Sequence, residues 1–410
     1  MNARILSSLL LSAALTVPAL AQSNSSSSTP QTAPTSGAAL EPLPPPARTD
    51  FWDGDDPNLV NLVTHPFANK KYVQRMTRPI KDRLEELDQL TSGNAAAIKD
   101  VDARAQHGLQ MASEKESLAD QHASEFDLAR KLPVGSYSRK NIAYLHAIAA
   151  GVDFLYETDD DNAPLDSWQL RSESVAAARF VGRANGRWVN AYRYFSGELI
   201  WPRGFPLSEV RSEVPETRMV AATRSPIQQG LANGSPDVDA VWRLILDRNF
   251  AFSDGAPVML EAGNWCPFNT QSTWWWPIAY PLLYLPSYCS FRMCDIWKSF
   301  IAQRCLWELG YGITFHAPEV FQDRNQHDLD RDFADEVPGY TRNKEIANVL
   351  SRLQLVSGET QIGGNLHRCY EALVAAGVFP SPELELVELW LENFRLAVTR
   401  GTQRAQGTRL

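Results

Sequence analysis

The sequence predicts an α/β fold, a sheet flanked by helices, and three observations carry that reading. A helical pattern with Ile142, Leu145 and Ile148 on one face closes at Gly151 and gives way at once to the apolar run Val152-Asp153-Phe154-Leu155-Tyr156. Helix, glycine and short buried strand in that order are the unit from which α/β sheets are built. The 410 residues are 44% hydrophobic and 21% charged, globular values that exclude wholesale disorder. From 136 to about 340 the chain alternates strand patterns, helices and Pro- and Trp-rich loops, whereas the stretches on either side have helical periodicity alone.

Taken in order, a basic start at Met1 to Arg4, an apolar run from Ile5 to Leu20 and Ala19-Leu20-Ala21 mark residues 1–21 as a secretory signal peptide, or a signal anchor if uncleaved. Residues 22–48 are rich in Ser, Thr and Pro, and too poor in apolar surface to offset the entropy of ordering; they read as a disordered linker. Residues 49–132 read as mostly helical, with Ile80, Leu84, Leu87 and Leu90 at helical spacing. Ser138 is placed to cap the helix that follows it, and a second helix runs from Asp295 to Leu309 before Gly310 and Gly312. Helices return from 343 to 400, on stripes such as Ile346, Leu350 and Leu353, and the polar tail 401–410 frays.

The charges narrow the function. There are 39 basic and 48 acidic residues, a net −9 with no long Lys/Arg run, which excludes a protein that grips nucleic acid through its phosphates. Five cysteines at irregular spacing are too few for a disulfide scaffold or a zinc site, though one or two bridges fit an oxidising compartment. Twelve tryptophans are many; they fill a core or offer flat faces to sugar rings.

The densest chemistry lies at the exit of the first strand, in Tyr156-Glu157-Thr158-Asp159-Asp160-Asp161-Asn162. Open α/β sheets bind ligands at the carboxyl ends of their strands, and three adjacent carboxylates repel one another unless a hard cation joins them. On an extended chain Asp159 and Asp161 point to one side and share Mn²⁺ or Mg²⁺, with Asp160 directed elsewhere; the plain alternative is a solvated acidic loop. Arg139 and Lys140 occupy the first turn of the preceding helix, where the dipole disfavours cations. They form an anion site there, or are two surface charges.

These residues carry a resemblance. Ser138-Arg139-Lys140-Asn141, Tyr144-Leu145-His146-Ala147-Ile148 and the acidic run are similar to the STELLO family of Golgi glycosyltransferases. The likeness continues in Trp201-Pro202-Arg203-Gly204-Phe205-Pro206-Leu207, Pro267-Phe268-Asn269-Thr270-Gln271, Phe291-Arg292-Met293-Cys294-Asp295-Ile296-Trp297 and Ile301-Ala302-Gln303-Arg304. It ends with Phe321-Gln322-Asp323-Arg324-Asn325-Gln326-His327 and Arg331-Asp332-Phe333, so it runs from about 118 to 340. A weaker likeness in Arg203 to Pro206 and Asp295 to Trp297 reaches the reversibly glycosylated polypeptides of plants. The resemblance implies a GT-A-like mixed sheet flanked by helices over 133–342, with helical extensions before and after it. It implies an Asp-x-Asp motif in which Asp159 and Asp161, with His327, hold the cation. Arg139, Lys140, Asn141, Asp160 and Arg203 then lie on the donor side, and Asp295 is the catalytic base facing the acceptor hydroxyl or else a helix cap. Trp265, Trp274, Trp275 and Trp276 border the acceptor site, on the argument that adjacent tryptophans cannot all face one core.

The base-binding strands with which a GT-A domain begins are not apparent in 49–132, which reads as a truncated or replaced nucleotide half. Two functions follow. One is a metal-dependent glycosyltransferase moving a sugar from a nucleotide-diphosphate donor to a glycan or glycoprotein hydroxyl, in the ER or Golgi lumen or secreted. The other is a non-catalytic relative that binds carbohydrate or organises partners. A glycoside hydrolase fits less well, because its two carboxyls occupy separated environments.

Overall fold

A computed structural model describes residues 77–84, 87, 125–246, 248–324 and 328–407. The signal segment and linker expected over 1–48 lie outside the described residues, as does His327. The chain divides into two compact units, one of residues 20–114 and one of 1–19 with 115–410. Within the first unit, 77–84 is helical, as its spacing predicts, with Ile80 and Leu84 exposed.

The second unit opens with a helical turn, α1 (Leu128–Lys131), and a 3₁₀ turn, Tyr137–Arg139, that leads into α2 (Lys140–Ala149). Ser136, not Ser138, caps this entry, its hydroxyl accepting from the Ser138 N–H at 3.3 Å. Ser138 is buried instead and shares its hydroxyl with those of Ser136 and Ser287. Helix α2 buries Ile142, Leu145 and Ile148 as its periodicity predicts, and Gly151 closes it at φ +72°.

Strand β1 (Leu155–Thr158) follows, slightly later than the apolar run suggests. A turn joins it to β2 (Asn162–Pro164), then come β3 (Ser174–Val181), β4 (Arg187–Trp188), β5 (Arg218–Arg224) and β6 (Ile227–Gly234). Helix α3 (Ala240–Leu246), β7 (Val258–Leu260), β8 (Asn264–Trp265) and β9 (Ser272–Trp275) precede α4 (Cys294–Trp307) and β10 (Ile313–Gln322). The main sheet has the order β1-β9-β6-β10-β7-β3-β5, with β2 added to β10, while β4 and β8 pair separately. In the main sheet β6 and β10 run parallel, as do β3 and β7, and the remaining neighbours are antiparallel; β4 and β8 are parallel too. This is the mixed, helix-flanked α/β sheet that the sequence predicts.

Helix α4 is buried from Cys294 to Leu306, on every face, and even Lys298 and Arg304 lie inside. Helix α5 (Leu329–Arg352) runs straight through the boundary expected at 342, because its inward residues Glu336, Asn343, Ile346 and Leu350 pack continuously against the core. Helices α6 (Ile362–Ala375) and α7 (Pro382–Gly407) complete the unit. The expected frayed tail is helical through Gly407, since α7 packs along α2. There Gly401 is required: a Cβ on it would stand 2.6 Å from the Ile148 carbonyl oxygen. The described cysteines are free thiols, with the Cys305 and Cys369 sulfurs 3.9 Å apart. No helix among the described residues is long and apolar enough to cross a membrane.

Candidate active site

Because β1 and β6 both run antiparallel to β9, and β10 runs parallel to β6, these three strands point the same way. Their carboxyl ends therefore meet at one edge of the sheet, where ligands bind in open α/β folds. Asp159 to Asp161 follow β1, Asp237 follows β6, and Asp323 with Arg324 follow β10.

The turn after β1 is anchored from beneath. Glu157 is buried, and both its oxygens lie 3.3 Å from Lys298 Nζ on α4. It also accepts from Trp275 Nε1 at 2.5 Å and from the Tyr144 hydroxyl, with Lys140 Nζ at 3.9 Å. Burial lowers the Lys298 ammonium's affinity for its proton, and Glu157 opposes that. Breaking such a pair leaves an uncompensated buried charge, so the strand end is held firmly.

Beyond Thr158 the chain does not stay extended. The Asn162 N–H donates to the Asp159 carbonyl at 3.4 Å, and the Asp323 N–H donates to the Asp161 carbonyl at 3.2 Å. The three aspartates occupy a turn, so two-residue alternation does not set their directions; the pairing of Asn162 with Gln322 does. Asp160 is exposed, while Asp159 and Asp161 are half-buried. Asp161 accepts from Gln322 Nε2 at 3.1 and 3.0 Å. Burial pushes the Asp159 carboxyl up to about 7; Lys140 opposes this, and Asp161, Asp237 and Asp295 add to it. These charges therefore act on one another across one cleft. A depression of about 490 Å³ is lined by Asp160, Asp161, Asn162, Ala163 and Asp323.

The oxygen set suits a hard divalent cation. Asn162 donates through Nδ2 to the Gln271 carbonyl at 2.7 Å and to Thr158 Oγ1 at 3.3 Å, which leaves its buried Oδ1 without a partner beside Asp161. An orphaned amide oxygen next to carboxylates is a Mg²⁺- or Mn²⁺-type donor set. Among the described residues no three His, Cys, Asp or Glu side chains stand close enough to hold a metal unaided. Such cations commonly complete their shell with substrate phosphate and water.

The other sequence candidates divide sharply. Lys140 stands in the cleft, 3.5 Å from the Tyr137 hydroxyl. Arg139 reaches back to the Ala129 and Leu132 carbonyls, both at 3.4 Å. Asn141 is spent on Leu285, donating to its carbonyl at 2.9 Å and accepting its N–H at 2.8 Å, so its role is to clamp a loop to α2. Arg203 is consumed as well: Nε and one terminal nitrogen bond Asp237 at 2.8 and 2.9 Å, and both terminal nitrogens bond Asp295 at 3.0 and 2.9 Å. Burial works against the Arg203 charge, and the two carboxylates outweigh it. Asp295 is 4% exposed, lies inside the first turn of α4 and leaves the cap position to Met293. It is a buried brace for Arg203, so the geometry supports neither the cap nor direct contact with an acceptor.

The tryptophan expectation fails. Trp265, Trp274, Trp275 and Trp276 are all buried, the most open at 7%. Strand β9 is interior, with both faces covered, so consecutive tryptophans bury on opposite sides. Trp275 turns to Glu157, and Trp274 to the rings of Tyr156 and Trp168, 4.5 and 5.7 Å away. Trp265 packs on Trp307 at 4.4 Å. An exposed aromatic near the cleft is Phe291, 61% accessible and edge-on to Tyr137 at 5.4 Å.

Sequence reasoning missed Tyr137, Asp237, Asn269, Lys298 and the roles of Glu157, Arg292 and Arg324. Burial raises Tyr137's pKa, with Asp159 and Asp295 adding to it, so this hydroxyl belongs to the same cleft. Asp237 is pushed up by burial, but Arg203, Arg292 and a 2.7 Å bond from Asn269 hold it below the usual carboxylate range. Nothing local marks Asp237, which follows a Ser-Pro pair in a loop; only the sheet brings it here.

Residues 292–400 match the family model described as STELLO glycosyltransferases. Two Arabidopsis thaliana proteins are similar to the chain. One, named "Probable glycosyltransferase STELLO2", is 26% identical over 373 residues, covering 84% of this chain and 45% of its own length. The other, "Probable glycosyltransferase STELLO1", is 29% identical over 285 residues, covering 62% of this chain and 36% of its own. The chain thus spans less than half the length of these relatives. The family model, the two relatives and the motifs gathered at the carboxyl ends of β1, β6 and β10 agree, and together they make the chain similar to the STELLO glycosyltransferases.

Proposed function

We propose that this chain transfers a sugar from a nucleotide-diphosphate donor to a hydroxyl of a glycan or glycoprotein, assisted by Mn²⁺ or Mg²⁺. The observation that carries it is the turn after β1, where half-buried Asp159 and Asp161 and the unpartnered Asn162 Oδ1 converge at a sheet edge beside Lys140. Asp159, Asp161 and Asn162 would hold the cation, which when bound neutralises the departing diphosphate. Lys140, fixed by Tyr137 and Glu157, offers a second positive charge to that group. The Glu157–Lys298 pair keeps the turn in place, and the Arg203 clamp on Asp237 and Asp295 ties α4 to the loop after β6. The apolar N-terminal run supports a place in the secretory pathway, which a fluorescent fusion of the full chain tests directly.

A second reading has its own support. Strand β1, which carries the acid turn, ends the strand order among the described residues. A carbohydrate-binding relative without transfer would look the same at the acid turn. Calorimetric titration with uridine and guanosine diphosphates, with and without Mn²⁺, decides. Cation-dependent binding of either nucleotide is expected, and its absence for both overturns the transferase. Binding without turnover of any nucleotide sugar favours the second reading.

A further inference from the structure

Two arginines remain that the reading above does not use. Arg324 follows Asp323, which lines the acidic depression and donates its N–H to Asp161. One terminal nitrogen of Arg324 bonds Asp332 at 2.7 Å. Arg292, in the 3₁₀ turn before α4, bonds Glu336 through Nε at 3.0 Å and through a terminal nitrogen at 2.7 Å. Asp332 and Glu336 are four residues apart on α5, one above the other on the same face. They therefore hold the two guanidinium groups side by side.

This pair differs from Arg203. Glu336 is fixed from several sides, accepting also from the Ala240 N–H at 2.7 Å and the Tyr340 hydroxyl at 2.5 Å, so it cannot follow its arginine outward. Among the described residues Nε and one terminal nitrogen of Arg324, and one terminal nitrogen of Arg292, make no hydrogen bond. Burial lowers the proton affinity of Arg324 and the neighbouring Arg292 lowers it further, while Asp332 and Asp237 oppose both. Two like charges held together with spare, directed donors are built for a multiply charged oxyanion, whose geometry the guanidinium fork matches.

We propose that Arg292 and Arg324 form a phosphate-binding fork beside the Asp159–Asp161 turn, and that its ligand is the diphosphate of the donor. The assignment rests on the sugar-transfer reading. The fork supplies the arginine contacts that Arg203, fully paired, does not.

The test uses inorganic pyrophosphate and uridine diphosphate, titrated calorimetrically into the full chain with Mn²⁺ present. Arg324→Gln should weaken both by about tenfold or more, the loss expected for a charge-assisted contact. Affinity for Mn²⁺ alone should stay within about twofold, and Arg324→Lys should recover part of the loss. Arg292→Gln should behave likewise if its melting temperature holds; Arg324→Gln is the cleaner variant, since it leaves Glu336 undisturbed. If Arg324→Gln binds pyrophosphate as the unmodified chain does, the fork is wrong while sugar transfer stands. If the fork binds pyrophosphate but no nucleotide binds, the fork stands as an anion site and sugar transfer falls. If the unmodified chain binds neither, both fall.

Discussion

Glu157 is one residue into the core from Thr158, yet it governs how the acid turn is presented. Its carboxylate gathers a lysine, a tyrosine and an indole N–H, and among the described residues no other carboxylate lies within 4.0 Å of Lys298 Nζ. Replacing Glu157 by Ala should cost about 3–5 kcal/mol, because the lysine stays buried without a counter-charge. The double change Glu157→Leu with Lys298→Met should recover more than half of that, since neither charge is then left alone. Urea unfolding of the two variants measures both, and an unperturbed Glu157→Ala chain would remove the anchor from the account. At this scale the sequence was half legible. Asp159 and Asp161 were visible as a motif, whereas Asp237 and Lys298 gain meaning only from partners far along the chain.

At the scale of elements, α7 lies against α2 with a glycine at the contact. Gly401→Ala should cost about 1–3 kcal/mol, because the added methyl meets a backbone oxygen that cannot rotate away. Hydrogen exchange should then quicken in α2 before it quickens in the sheet; uniform protection would show that the helices part without loss. Helix periodicity made α2 and α4 readable, since Ile142, Leu145 and Ile148 carry a 3.6-residue repeat. The turn after β1 was misread as extended, because its shape depends on β10 at Gln322, outside any local window. The tryptophans were misread for a related reason. Exposure was argued from one covered face, and β9 has two.

For the molecule as a whole, the buried carboxyls set a pH response. Asp159 and Asp239 are both pushed up to about 7, chiefly by burial, so the fold holds protons that the unfolded chain has released above about 4. The stability they provide in acid is lost as pH rises through 7. His316, kept neutral by burial and by Arg171, acts in the opposite sense below about 6.5. Two carboxyls outweigh one imidazole, so metal-free protein should already be losing stability as pH rises to 6.5. Between there and pH 8 each carboxyl should give up about 1 kcal/mol, lowering Tm by about 2–6 °C together. Mn²⁺ should restore more at pH 8 than at pH 6.5, because a proton competes for Asp159. A Tm that climbs steadily to pH 8 without metal would contradict this.

The seating of α7 on α2 also says something about time. A ribosome delivers Lys140 well before Gly401, and domains settle as units while they emerge. Helix α2, which carries Lys140 into the cleft, lacks its packing neighbour until the stretch around Gly401 has been made. Unfinished chains therefore carry the acid turn without the support that holds its flanking helix, and the cleft reaches its final form only when synthesis has passed Gly401.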